Sequence, residues 1–169
     1  MTVKSGQAQA WPPSLWASVT PTFTKFASLD NDCQVDAVVI GAGFTGLSCA
    51  LALAQGGASV AVVEAVEPGW GASGRNNGQV IPTLTRPKPS DIVARHGEPG
   101  ERFVAMLRDS ADDLFAWIRQ SGIDAEAEQT GWVQPVHTPG RMKIARARVS
   151  QWAALGAPVE LLTADQIRA

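Results

Sequence analysis

Gly41-Ala42-Gly43-Phe44-Thr45-Gly46 is the stretch on which the reading of this chain turns. It spells G-x-G-x-x-G, and its flanks give the pattern meaning. Before it runs Val35-Asp36-Ala37-Val38-Val39-Ile40, a short β-branched segment ending at glycine, as a buried parallel strand does. After it, Thr45 to Gln55 is rich in Ala and Leu, both strong helix formers, and Gly56-Gly57 follows as a stop. Ser59-Val60-Ala61-Val62-Val63-Glu64 predicts a second buried strand. Strand, helix, strand in this order predicts a βαβ crossover with parallel strands. In that setting each glycine has a task. Gly41 permits the tight turn out of the strand, Gly43 leaves room for a pyrophosphate against the backbone, and Gly46 lets the helix lie close to the strands. The free N–H groups and positive dipole end of the helix suit phosphate. Ala50, four residues past Gly46, keeps the same helix face small.

Glu64 ends the second strand, eighteen residues after Gly46. A carboxylate there accepts hydrogen bonds from ribose hydroxyls and repels a 2′-phosphate. Alone it could equally be a strand end on the surface; with the glycines in register, it predicts dinucleotide binding. The motif does not separate FAD from NAD. The next segment bears on that choice: Trp70-Gly71-Ala72-Ser73-Gly74-Arg75-Asn76-Asn77-Gly78-Gln79 is small, glycine-rich and polar, as a backbone clamp around a long cofactor should be.

Here the sequence resembles the FAD-dependent oxidoreductases of the D-amino-acid oxidase and glycine oxidase superfamily, and within it the branch containing gamma-glutamylputrescine oxidoreductase. That branch reads G-W-G-A-S-G-R-N-G-G-Q after the acidic strand end; Gly71 through Gln79 match, with Asn77 in place of a glycine. The likeness extends over most of residues 30–169. It implies that Gly41, Ala42, Gly43, Phe44, Thr45 and Gly46 hold the pyrophosphate. Glu64 and Ala65 would hold the adenosine ribose. Ala72, Ser73 and Arg75 would line the pyrophosphate and ribityl part, and Asn76, Asn77, Gly78 and Gln79 would approach the isoalloxazine ring. Asn77 is expected to accept a positive φ, as Asn does more readily than most residues; Asn77-Gly78 also reads as an ordinary hairpin turn. The implied reaction is oxidation of the C–N bond of a small amine or amino acid to an imine, with oxygen or another acceptor reoxidising FAD. Catalytic residues are not identified in this chain, which lacks tyrosine. An NAD-binding dehydrogenase module and a non-catalytic nucleotide-binding piece are the alternatives.

The implied fold is α/β: a Rossmann-like FAD-binding βαβ unit, then the start of an α+β substrate-domain segment. Three regions are expected: an extension at 1–34, the βαβ unit and glycine-rich flavin loop at 35–84, and a helical and α+β segment at 85–169. The extension is Pro- and Ser/Thr-rich without a steady period, and its Trp11 and Trp16 predict docking onto the body of the same chain rather than ligand binding. Gln79-Val80-Ile81 predicts a brief strand, and Ser90 to Arg95 a short helix closed by Gly97. From Glu101 to Gln120, Val104, Leu107, Ala111, Leu114 and Ile118 fall in steps of three and four, the stripe of an amphipathic helix ended by Gly122. A strand at Gly131–His137, a helix at Arg141–Leu155 and a strand at Pro158–Leu162 follow. Thr163-Ala164-Asp165-Gln166 fits a capping box opening another helix. Two parallel strands do not make a stable sheet, so the chain is expected to be the N-terminal part of a longer enzyme.

Length and composition bound these readings. At 169 residues the chain has the length of one domain, and 45% hydrophobic with 18% charged residues describes a globular rather than disordered chain. Residues 1–90 carry five basic and five acidic side chains and residues 91–169 nine against eleven, so no positive field for nucleic acid exists. Cys33 and Cys49 suffice for neither a disulfide framework nor a zinc site, and His96 and His137 have no ligand-spaced partners, so no metal is expected. Cys49 is expected to be a buried small hydrophobe, and Trp117 and Trp152 to pack between helices. Arg141, Lys143, Arg146 and Arg148 read as a solvated basic face. No apolar run is long enough to span a membrane and none follows Lys4 as a secretory leader would, so a cytoplasmic protein is expected.

Overall fold

In the computed structural model, which describes residues 10–11, 13–20, 26–84 and 86–168, the first element is a short helix, α1 (Leu15–Val19). It lies in the extension, where no periodicity announced it. Its start is set by one side chain: Ser14 Oγ accepts the Ala17 N–H at 3.2 Å. Lys4, Pro12 and Pro21 lie outside the described residues.

The sheet is built where the β-branched runs are. β1 (Ala37–Ile40) and β2 (Val60–Val63) pair in parallel, Ala37 opposite Val60 through Ile40 opposite Val63. Between them runs α2 (Phe44–Gln55), closed by Gly56. The pairing is locked at its start by a reciprocal clasp. Asp36 N–H donates to Ser59 Oγ at 3.0 Å, while Asp36 Oδ2 accepts from Ser59 Oγ at 2.6 Å and Ser59 N–H at 2.9 Å. These donors hold the Asp36 carboxyl below its ordinary value.

α2 covers one face of this pair, and Ala50 is buried on it. A Cβ on Gly46 would run into the Gly41 carbonyl and come 3.3 Å from Val39 Cγ1, so the helix reaches the strands only because position 46 is bare. The opposite face is open. Val38 is 58% and Ile40 87% exposed, so the strands are not buried on both faces as their apolar runs predict. A parallel strand needs a layer on each side, and among the described residues only α2 supplies one. Cys49 is likewise exposed rather than buried, because it sits one residue from Ala50 on the outer side of α2.

The chain divides into two compact units, Met1–Gln79 and Val80–Ala169. The second contains α3 (Pro89–His96), α4 (Glu98–Ser121), α5 (Pro139–Ala154) and α6 (Ala164–Arg168). α4 follows the predicted stripe and starts three residues earlier, with Pro99 in its first turn, where a missing N–H is harmless. Gly100 is buried, and a Cβ there would meet the Ile92 carbonyl oxygen at 2.7 Å, so α3 and α4 touch backbone to backbone. Val104 and Trp152 are buried at 2% and 7% exposure, and Pro89 at the start of α3 is buried too; Trp117 is 40% exposed. The capping box forms: Gln166 N–H donates to Thr163 Oγ1 at 3.3 Å, and Gln166 Oε1 accepts from the Thr163 N–H at 2.8 Å. The brief strands at 79–81, 131–137 and 158–162 do not form. A strand exists only through a paired neighbour, and among the described residues β1 and β2 pair solely with each other.

Candidate functional site

The site is assembled where β1 hands over to α2. Gly41 has φ 99°, a left-handed conformation closed to most side chains, and its N–H donates to the Val63 carbonyl at 2.8 Å. The turn is therefore tied to the end of β2 before the helix begins. Ala42 is buried, and Gly69 N–H donates to its carbonyl at 2.9 Å. Gly43 is the residue before α2 and has no side chain to cap it, so N–H groups of the first turn lack intrahelical partners.

Two groups from later in the chain arrive at this turn. The Glu64 carboxylate, one residue beyond β2, accepts the Ala42 N–H on Oε2 at 2.8 Å and the Val66 N–H on Oε1 at 3.1 Å. These donors, Ala42 foremost, hold its carboxyl below the ordinary glutamate value against a small opposing effect of burial. Glu64 thus clasps the glycine turn. A carboxylate offers about four lone-pair sites, so both oxygens retain acceptor capacity for hydroxyls. Ala65, beside it, is exposed.

The second arrival is Ser73, on a single 3₁₀ turn at Ala72–Gly74. Its Oγ accepts the Phe44 N–H at 2.9 Å, and a Cβ on Gly43 would lie 2.9 Å from that same oxygen. Residues 30 positions apart in sequence, Gly43 and Ser73, are therefore in contact because position 43 is bare. Phe44 and Thr45 are exposed on the first turn. The structure brings Gly41, Ala42, Gly43, Phe44, Gly46, Glu64 and Ser73 together around one helix start.

The rest of the glycine-rich segment is held by its own short-range bonds. Arg75 Nε donates to the Gly71 carbonyl at 3.1 Å, and its guanidinium lies 5.3 Å from the Trp70 ring centre. Its backbone N–H donates to the Ala72 carbonyl. Asn76 Nδ2 donates to the Ser73 carbonyl at 2.5 Å, and Asn76 Oδ1 accepts the Gly78 N–H at 2.7 Å. Asn77 Oδ1 accepts the Gln79 N–H at 3.3 Å, and Asn77 Nδ2 donates to Gln79 Oε1. The left-handed residue is Gly78, φ 74°; Asn77 is not left-handed. Asn77 therefore does not need the positive φ expected of it. No hairpin forms here either, since no strand flanks Asn77-Gly78.

Sequence reasoning missed Gly69, whose N–H joins the segment to Ala42, and it missed where the two extension tryptophans dock. Trp11 and Trp16 donate to Glu67 and to the Asn76 carbonyl, each at 2.7 Å. Docking onto the same chain was readable from their type; the address was not, because no spacing links positions nearly 60 residues apart.

The first unit thus combines a bare glycine cradle, a helix start whose first N–H groups lack intrahelical partners, a Ser73 hydroxyl on the Phe44 N–H and a carboxylate with spare lone pairs. Among the described residues no group of three or more His, Cys, Asp or Glu is placed to hold a metal, and no helix is long and apolar enough to cross a membrane.

Comparison with known proteins shows the family. The profile of the family described as FAD dependent oxidoreductase matches residues 36–169. The chain is 30% identical over 158 residues to gamma-glutamylputrescine oxidoreductase of Escherichia coli, covering 92% of this chain and 36% of that protein. It is 38% identical over 123 residues to the probable oxidoreductase OrdL of Rhizobium meliloti, covering 71% of this chain and 28% of the relative. Over 57 residues it is 51% identical to the probable oxidoreductase OrdL of Haemophilus influenzae, covering 34% and 13%. The chain therefore spans about a third of the length of the curated relatives it matches. No solved structure matches it.

Proposed function

Given that this chain belongs to the FAD-dependent oxidoreductase family, we propose that it carries the cofactor-binding part of a flavoenzyme oxidising a small amine or amino acid at its C–N bond. The observation that supports this most is the convergence of the Gly41–Gly46 turn, Ser73 and Glu64 on the start of α2. FAD, when bound, supplies the two-electron acceptor that no amino-acid side chain provides. The chain's residues supply placement. The N–H groups of Gly43 and of the first turn of α2 beyond Phe44, whose own N–H is taken by Ser73, receive the pyrophosphate, with Ala42, Phe44, Thr45 and Gly46 shaping the turn. Ser73 bounds that position, and Ala72 and Arg75 line the path leading away from it. Glu64, with Ala65 beside it, takes the adenosine ribose hydroxyls and disfavours a 2′-phosphate. Asn76, Asn77, Gly78 and Gln79 lie furthest along the segment and face the ring end.

An amine substrate accords with the name of the Escherichia coli relative. Oxygen or a second acceptor completes the cycle in this reading. A cytoplasmic location is part of it, since the free, exposed Cys33 and Cys49 suit a reducing compartment. Titration of the purified chain with FAD, ADP and NAD tests the cofactor. FAD and ADP are expected to bind, FAD more tightly, with flavin absorbance co-eluting on gel filtration. Preference for NAD would favour a dehydrogenase module, and binding of none of the three would remove the nucleotide reading.

A further inference from the structure

The extension's first described residues, Ala10, Trp11 and residues 13–19, are tied to the glycine-rich segment at four points. Trp11 Nε1 donates to Glu67 Oε2 at 2.7 Å, Trp70 Nε1 to the Ala10 carbonyl at 3.2 Å, Ser14 Oγ to the Gly74 carbonyl at 3.1 Å, and Trp16 Nε1 to the Asn76 carbonyl at 2.7 Å. Each bond crosses 56 to 60 residues. α1 has no buried residue, and Leu15 and Val19 are exposed. A five-residue helix is not stable alone, so these anchors hold it there.

The indole rings make the match tighter than the hydrogen bonds alone. A Cβ on Gly74 would lie 3.0 Å from Trp11 Cζ3, and one on Gly78 would lie 2.9 Å from Trp16 Cζ2. Gly78 is therefore bare for two reasons, its left-handed backbone and the ring over it. Trp16 touches both ends of one small unit: it fixes the Asn76 carbonyl, while the Asn76 side chain holds the Gly78 N–H at 2.7 Å.

We propose that this N-terminal strap, through Trp16 above all, is a positioning element that sets residues 74–78 in the shape that receives the ring end of the flavin. The proposal rests on the cofactor reading above. A glycine-rich loop ordered only on binding loses affinity to that ordering; a loop ordered beforehand does not. Trp16 is a positioning residue: it acts through Asn76 and Gly78.

Two readouts test it. Amide hydrogen exchange needs no nucleotide: Trp16→Leu should speed exchange across 74–79 while exchange in α2 stays as in the wild-type chain. Ligand titration adds a contrast between FAD, which reaches residues 76–79, and ADP, which reaches only the Gly41–Gly46 turn and Glu64. Trp16→Leu should weaken FAD binding roughly tenfold and leave ADP binding within about twofold, with Trp16→Phe, which keeps a ring without the N–H, falling between. Unchanged exchange across 74–79 would overturn the proposal. Parallel loss of ADP and FAD would overturn it too, by reducing Trp16 to general support of the fold. Tighter FAD binding after removal of residues 1–20 would overturn it by making the strap an occupant of the ring site. A wild-type chain binding neither nucleotide would instead refute the cofactor reading, and exchange would still decide whether Trp16 orders the loop.

Discussion

Glu64 serves two ends with one carboxylate: it clasps the glycine turn through Ala42 and Val66 and offers its remaining lone pairs outward. Its folded-state carboxyl lies below the ordinary glutamate value, so the unfolded chain takes up the proton first. The stabilisation is therefore complete above the ordinary value, about 4.3, and is lost as pH falls through the lower folded-state value. Comparing the pH dependence of the unfolding midpoint for the wild-type chain and Glu64→Gln checks this. The wild type should be the more stable at neutral pH, and the gap should close in acid. A gap that persists once the carboxylate is protonated would mean that packing, not charge-assisted hydrogen bonding, is what the substitution removes. The same variant should weaken ADP binding.

At the scale of elements, what was legible was whatever depends on near neighbours in sequence. α2 and the ends of β1 and β2 fall within two residues of their predicted bounds, and the Thr163 cap forms as its four-residue pattern requires. The three failed strands share a cause. Gly131–His137 reads as a strand with Trp132 and Val136 as packing residues, but extended backbone becomes a strand only beside a partner, and partners are chosen by the fold. The second unit's helices depend on packing rather than on propensity, as the burial of Val104, Gly100 and Trp152 indicates. Trp152→Ala should lower the unfolding free energy of this unit by about 3 kcal/mol, the usual cost of emptying a buried aromatic site. Helical circular dichroism against urea would show a lower midpoint; an unshifted midpoint would place the indole outside the core.

At the scale of the molecule, the open face of the β1–β2 pair dominates. Ile40 at 87% and Val38 at 58% exposure are two β-branched residues presented to water on a strand of four. Apolar surface exposed in this way promotes association, and a net charge of −2 does little to oppose it. Replacing both by Thr keeps the β-branch while removing apolar surface. The double variant should reduce apolar-dye binding and concentration-dependent association in sedimentation, with ADP affinity unchanged because neither side chain reaches the glycine turn. Equal association by both proteins would assign it to another surface.

The sequence by itself determined the βαβ order, the three bare positions of the glycine turn, the acidic end of β2 and the polar clamp that follows. Each of these is a demand that backbone geometry or a phosphate makes within a few residues of chain. Only the tertiary structure decided that Ser73 closes on Gly43, that Glu64 grips Ala42, that Cys49 faces outward, and that Trp11 and Trp16 lie against Gly74 and Gly78. Those pairings join residues 22 to 63 positions apart. Their partners are selected by which surfaces the folded chain brings together, and no local periodicity encodes that choice.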